Sequence, residues 1–568
     1  MLVLLALGAI ALAGCAEGTS HSARIHAATG ATRIAAHAGT SDPDPGAPPA
    51  LLPAAPPQGT PVSVTVGARP SGPAGPTDFL GLSFELRSLP TIASYGAALS
   101  GTQVAAPAGA GGSNSVGAAA ASPDAPGGDL LALLRSLGPG VLRFGGVSAD
   151  EEAAWAPTGK LPRWARVAIT PRELAGLATL ARASGWRVLL TVNLGHYDPA
   201  AAARESAAAH AALGPYLAGI EIGNEPDRYV RKHLRAAGWN FTAYRAQAAA
   251  YRAAIEHAAP GVPIAGPDPS TGTIGLGWLD AAARTLHPAL LTDHFYPLSS
   301  CGYRPTIGEL LSPGTLQHGR QALAQATAIA RRARRPLRID EANSISCEGR
   351  PGVSNTFAAA LWALEYIARA SVAGVAGVNF HDLPARADSY SPLFAPDPAA
   401  LAAGDLRAAP EWYALLAARE LPGSRPLAAA VIGAVPGELG VSAFRAPDGR
   451  LRLVLVDYDP PGSGPLVVHL QGVRVQRDVR VRAHAGARAR AHTAPSGTST
   501  SAFTAGAILR LTGPAPAATG GVRLAGRTVA PNGSWRPPPR LPALYTHAGA
   551  FSLQIDPSSA AVVTLYPD

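Results

Sequence analysis

The stretch "LAGIEIGNEPDRY", Leu217 to Tyr229, is an apolar run that stops abruptly at Asn224-Glu225-Pro226. Ile220 and Ile222 suit a strand, and Pro226 cannot continue one because it has no N–H for the next ladder bond. A carboxylate at the end of a buried strand is costly unless it is paired or put to work. Which applies to Glu225 depends on what the rest of the chain brings near it.

Seven similar runs surround it. Before it come "FLGLSFEL" (79–86), "VLRFGG" (141–146) and "RVLLTVNLG" (187–195). After it come "PIAGPD" (263–268), "LLTDHFYP" (290–297), "PLRIDEAN" (336–343) and "VAGVNFH" (375–381). Helical stretches such as "PRELAGLATLARASG", "YRAQAAAYRAAIEHAA" and "TFAAALWALEYIARAS" lie between them. Near-continuous apolar strands are those of a parallel sheet covered on both faces. Eight β/α units in about 340 residues predict a closed (β/α)8 TIM barrel, spanning 76–424. An open doubly wound sheet is the alternative, but no Gly-rich phosphate fingerprint follows any strand.

Past "EWYALLAAREL" (411–421) the pattern changes to short strands separated by Gly, Pro and Asn, among them "LRLVLVDYD", "PLVVHLQGV" and "AVVTLYP". They predict a C-terminal antiparallel β-sandwich over 425–568. The early run "PVSVTV", within 61–75, is a candidate to pair into it. Residues 16–60 are Pro/Ala-rich and read as an extended tether. A low-complexity patch at 100–128 reads as a long surface insertion in the barrel.

The 568 residues are 47% apolar and 15% charged, which is globular. Forty-seven basic against 38 acidic residues give +9. No Lys/Arg block or nucleic-acid module accompanies this charge, so an Arg-rich composition explains it without a nucleic-acid partner. The start, "MLVLLALGAIALAGC" (1–15), is too short to span a bilayer and reads as an export signal. Its end, Leu12-Ala13-Gly14-Cys15, resembles the lipobox of a bacterial lipoprotein, with Cys15 acylated as a membrane anchor. A plain cleaved signal and an uncleaved anchor are the alternatives, and all three place the protein outside the cytoplasm. No positive residue precedes the apolar run, so a true start further upstream is expected. Two further cysteines, Cys301 and Cys347, follow predicted neighbouring strands, and in an oxidising compartment they suggest a disulfide.

Working residues of such barrels gather at the C-terminal ends of the strands. Those ends carry Glu85, Arg143, Asn193, Asn224, Glu225, His294, Tyr296, Glu341, Asn343, Asn379 and His381. Glu225 ending the fourth strand and Glu341 ending the seventh should face each other across the mouth, with no Lys near either in the sequence. Two such carboxylates, one protonated and one ionised, are what glycoside hydrolysis requires. The plainer reading makes each a salt-bridged structural carboxylate. Glu221, with the parity of Glu225 but lower in the barrel, is expected to be structural and paired with a basic residue. Without HExxH or Cys/His ligand spacing, the histidines read as network or sugar contacts, and no metal or cofactor is expected.

"LRFGG", "GIEIGNEPD", "DHFYP", "DEANSISC" and "SNTFAAALWALEYIARAS" together resemble glycoside hydrolase family 79, within clan A, which holds β-glucuronidases and heparanase. The likeness runs from about 61 to the C-terminus and implies the barrel and the sandwich alike. It implies a retaining mechanism, with Glu225 as acid/base and Glu341 as nucleophile, their carboxyls about 5–5.5 Å apart. Asn224 would bond the sugar 2-hydroxyl, Glu85 other hydroxyls, and Arg143, with His294 beside it, would support an ionised Glu341. The substrate carboxylate would fall to Tyr296, Tyr390 and backbone N–H groups near Cys347 and Gly349. Two departures stand out: Ser346 replaces a tyrosine found in some members, and Glu348 would repel an anionic substrate unless turned away. A Cys301–Cys347 bond would pin this loop. The implied partner is a carbohydrate, a glucuronide or a uronate-containing glycan. A neutral-sugar clan A glycosidase is the alternative, and a catalytically idle carbohydrate-binding lipoprotein is a third reading.

Overall fold

Eight parallel strands close into a barrel in strict chain order. They are β1 (Leu80–Glu85), β2 (Val141–Gly145), β3 (Arg187–Val192), β4 (Leu217–Ile222), β5 (Ile264–Pro267), β6 (Leu290–Phe295), β7 (Leu337–Ala342) and β8 (Gly377–Asp382). The computed structural model describes residues 49–99, 128–433, 438–475 and 502–567. Every residue of β1, β2, β5, β7 and β8 is buried, which is why these runs read as apolar without alternation.

Local sequence explains the intervening helices. Helix Pro171–Ser184 starts on a capping box in which Thr170 and Glu173 serve each other's backbone, and it stops at Gly185 in the left-handed region. Helix Phe357–Ala373 is buried on almost all sides, with Trp362 and Tyr366 stacked at 5.4 Å between ring centroids. It lies between the barrel and the C-terminal sheet, and its first N–H groups donate to Ala518 and Pro516 carbonyls.

The C-terminal strands of the expected β-sandwich belong to one continuous eleven-stranded sheet. Val64, Val468 and Phe551 on one run of neighbouring strands and Leu453 and Val563 on another share one apolar core, so the sheet folds over itself to bury that face. Its ladders are mostly antiparallel, as expected, and two are parallel. In one, strand Thr60–Pro70 runs alongside Leu466–Gln471, while its other edge pairs antiparallel with Arg425–Ile432. The segment before the barrel is thereby the central plank of the C-terminal sheet. The tether expected to reach residue 60 is already fixed at Ala50–Leu52, which pairs with Arg540–Pro542. Cys15 and residues 100–127 lie outside the described residues. Among those described, no helix is long and apolar enough to cross a membrane.

Candidate active site

Arg143 on β2 is fully buried and donates to five side chains at the barrel mouth. These are Glu341 Oε2 at 2.6 Å, Asp268 Oδ2 at 2.6 Å, Asn224 Oδ1 at 2.8 Å, Glu221 Oε2 at 3.1 Å and Ser83 Oγ at 3.1 Å. A guanidinium's five donors in one plane allow this, and a lysine could not replace it. Glu341 is 8% exposed at the end of β7, and its second oxygen accepts from Tyr296 Oη at 2.9 Å. Burial pushes this carboxyl up, but His381, His294 and Arg143 outweigh burial and hold it at about 2.

Glu225 sits three residues beyond β4 rather than on it, with a left-handed backbone (φ 47°). Its N–H donates to the Asp268 carbonyl at 2.8 Å, and Asp268 is itself left-handed (φ 61°). Two non-glycine residues in that region indicate backbone held in place by its surroundings. His294 Nδ1 lies 3.6 Å from Glu225 Oε1 and 3.9 Å from Glu341 Oε1. Those two distances cap the separation of the two Oε1 atoms at about 7.5 Å, so both carboxylates face the same imidazole nitrogen.

The expectation that no lysine stands near these carboxylates is wrong. Lys232 Nζ is 3.0 Å from Glu225 Oε2. The turn after Pro226 brings it back onto the glutamate seven residues upstream, which strand-based reading does not foresee. Burial raises the Glu225 carboxyl, yet Lys232 and then His294 overcome it and hold it far below the usual range. In the free protein Glu225 is therefore an anion.

The other expected residues divide cleanly. Glu85 accepts from the Ser148 N–H at 2.8 Å and faces His381 Nε2 at 3.8 Å, and His381 Nδ1 is 3.7 Å from Glu341. The Tyr296 and Tyr390 rings adjoin at 6.0 Å, and a Cβ on Gly349 would come within 3.1 Å of Tyr390. Cys301 and Cys347 form a disulfide with 5.7 Å between Cα atoms. Cys347, Glu348 and Gly349 are all left-handed, and Glu348 turns outward to Arg386 at 2.8 Å. Three polar residues from the strand-end set do other work. Asn193 ties down the Ala149, Asp150 and Ala153 carbonyls. Asn343 ties His381, Tyr390 and Glu411. Asn379 lies lower in the barrel, bonded to Arg338 and to the Leu82 and Val141 carbonyls.

Two buried aspartates escaped sequence reading. Asp268 accepts from His294 Nε2 at 2.7 Å as well as from Arg143, and as the last residue of "PIAGPD" it obeyed the strand-end rule. Asp150 accepts from the N–H groups of Leu194, Gly195 and Asn224 and from Tyr229 Oη, all within 2.8 Å. It fixes the backbone of Asn224 from behind, and nothing in its helical segment signals this. Beneath them Asp340 is fully buried, and burial with the charges of Asp268 and Glu221 pushes its carboxyl well up.

Asp268, His294 and Asp340 offer ligand atoms within 4.8 Å of one another. They fit a metal poorly: the Arg143 cation already lies against Asp268, and Glu341 and Asp268 hold His294 protonated despite burial. An imidazolium has no lone pair to give a metal.

No protein-family model and no curated protein matches the chain. Solved structures do. A 4-O-α-L-rhamnosyl-β-D-glucuronidase from Fusarium oxysporum 12S superposes with TM-score 0.64 at 19% identity, over 88% of this chain and 100% of that one. A GH51 arabinofuranosidase from Xanthomonas axonopodis pv. citri gives 0.59 at 13%, over 89% and 100%. The GH51 α-L-arabinofuranosidase from Thermotoga petrophila RKU-1 gives 0.59 at 14%, over 89% and 99%. At such identities the likeness is one of fold: a TIM barrel joined to a further sheet domain.

Proposed function

We propose that this chain is a retaining, exo-acting glycoside hydrolase of the β-glucuronidase type. The observation that carries the proposal is the pair Glu225 and Glu341 meeting at one histidine nitrogen, with only Glu341 bound by Arg143. Two carboxylates so differently surrounded can divide the labour of double displacement. Glu341, held ionised, attacks the anomeric carbon as Glu225 delivers a proton to the leaving oxygen. Glu225, then an anion again, takes a proton from the water that opens the glycosyl-enzyme. The lowered carboxyl of Glu225 in the free protein suits that second step. For the first, the incoming glycoside has to part Glu225 from Lys232, so that burial, then opposed by His294 without the lysine, raises the carboxyl. Asn224, held from both sides by Arg143 and Asp150, is placed to bond a sugar hydroxyl.

The glucuronide assignment rests on Tyr390 and the backbone around Cys347–Gly349, with Glu348 turned away from them, and it accords with the glucuronidase likeness. A neutral sugar is the second reading, favoured by one observation: the Tyr296 hydroxyl is engaged by Glu341 and is not free for a substrate carboxylate. Export and acylation at Cys15 remain proposals that rest on the sequence.

Aryl glycosides differing only at C6 (glucuronide, glucoside, xyloside) test both. Glu341→Gln should abolish turnover, and Glu225→Gln should lower it by roughly 10²–10⁴-fold, with azide restoring only the latter. Turnover surviving both substitutions overturns the catalytic assignment, and a preference for glucoside or xyloside overturns the glucuronide.

A further inference from the structure

A cavity of ≈ 420 Å³ lies beside the barrel mouth, between the first turns of helix Pro199–Leu213 and the segment leading from β2 to helix Pro171–Ser184. Four of its eleven lining residues are aromatic. Trp164 and His196 stack with centroids 3.6 Å apart and planes 9° from parallel, and Tyr197 is 51% exposed beside them. The helix presents Asp198, Ala201, Ala202 and Glu205 to the cavity, a spacing of three, four and seven that puts them on one face.

Two polar groups in this wall are unpaired among the described residues. Glu205 is 3% exposed, and its Oε1 has no hydrogen-bond partner. Trp155 Nε1 is buried without one too. The catalytic assembly uses neither. Burial pushes the Glu205 carboxyl up to about 8, so near neutral pH it keeps its proton and offers both an O–H donor and an acceptor. A purely apolar ligand would leave both groups unpaired, which is unfavourable. A cation would have only the Asp198 carboxylate, one oxygen of which already caps the helix, and an anion would find no positive partner in this wall. Aromatic faces with a few convergent neutral donors and acceptors match the apolar C–H faces and hydroxyl rim of a sugar ring.

We propose that this cavity is a second saccharide-binding site, separate from the catalytic pocket, which takes a neutral pyranose unit against Trp155, Trp164 and Tyr197. The Glu205 carboxyl and the Trp155 indole N–H bond its hydroxyls. The two sites share a wall, since Asn193 lines the cavity and also holds the Asp150 backbone, while the Asp150 carboxylate fixes Asn224. Binding there needs no turnover, so it fails or stands independently of the roles given to Glu225 and Glu341.

The test uses the full chain carrying Glu225→Gln and Glu341→Gln, titrated with methyl β-D-glucopyranoside and methyl β-D-xylopyranoside. Tryptophan fluorescence and saturation-transfer NMR provide the readout. Saturable binding is expected, weakened about tenfold or more by Trp164→Ala and by Glu205→Leu. Trp164→Phe and Glu205→Gln, which keep the ring face and the donor–acceptor pair, should retain it and serve as folded controls. Absence of saturable binding overturns the proposal, as does binding that neither Trp164→Ala nor Glu205→Leu weakens.

Discussion

Asp268 and His294 meet at 2.7 Å beneath the two candidate catalytic glutamates, and each reaches a different part of the site. Through its other oxygen Asp268 grips Arg143, the residue that holds Glu341, and through its carbonyl it anchors the Glu225 backbone. The opposite nitrogen of His294 faces both glutamates. The aspartate thus ties together Glu341, the Glu225 backbone and the imidazole between them.

Replacing it tests that positioning role. Burial alone would discharge His294, whereas the Glu341 and Asp268 carboxylates hold it charged. Asp268→Asn removes one of those anions, so the imidazole resonances should titrate at lower pH than in the native protein. Turnover should fall by about 10²-fold, as when one preorganised electrostatic partner is lost, with KM changing little. A His294 titration that does not move would show that Asp268 is merely structural.

Lys232 controls the other half. Lys232→Met removes the main cation opposing burial at Glu225, so that carboxyl should rise. A general acid works only while protonated, and the alkaline limb of kcat/KM should therefore move to higher pH. The shift should be clearest for alkyl glycosides, whose poor leaving groups need the proton. An alkaline limb at its original pH would mean that Glu225 is not the acid the limb reports.

Glu205 makes a prediction about stability. Its carboxyl is raised from 4.5 to about 8 in the folded state. Between those pH values the unfolded chain has released a proton that the folded chain still holds. Stability should therefore decline as pH rises through that window, by on the order of 1.4 kcal/mol per pH unit at most. Glu205→Gln cannot titrate, so its melting temperature should exceed that of the native protein at pH 8 and approach it at pH 4.5. Parallel melting curves for the two proteins across that range would disprove the raised carboxyl.

The barrel was legible because strands buried on both faces are marked by composition alone, and chain order fixes their neighbours. Glu341 and Arg143 followed from position on those strands. Lys232 and Asp150 did not, because their roles depend on how a turn and a short helix fold back over the mouth, and no periodicity encodes that. Asn379 was misread for a related reason: strand ends located to within two or three residues cannot separate the rim from the layer below. The central place of Thr60–Pro70 in the C-terminal sheet is a contact across more than 350 residues of sequence, which local pattern leaves open.

The disulfide joins the loops after β6 and β7, and it does so at the foot of the Cys347–Gly349 turn that packs on Tyr390. Both cysteines are exposed, so a reductant can reach them. For the 46-residue separation the chain-entropy account allows up to about 4 kcal/mol of stabilisation. Other ties remain after reduction: the short Leu298–Ser299 and Ile345–Ser346 pairing, and the Ser300 hydroxyl between the Ser346 and Cys347 carbonyls. The barrel should stay folded, while the three successive left-handed residues lose their anchor. If this turn receives the substrate carboxylate, Cys301→Ser should raise KM for an aryl glucuronide severalfold at nearly constant kcat. KM for the matching aryl xyloside, which has no group at C6 to reach the turn, should hold steady. Equal changes for both substrates would move the carboxylate site elsewhere in the mouth.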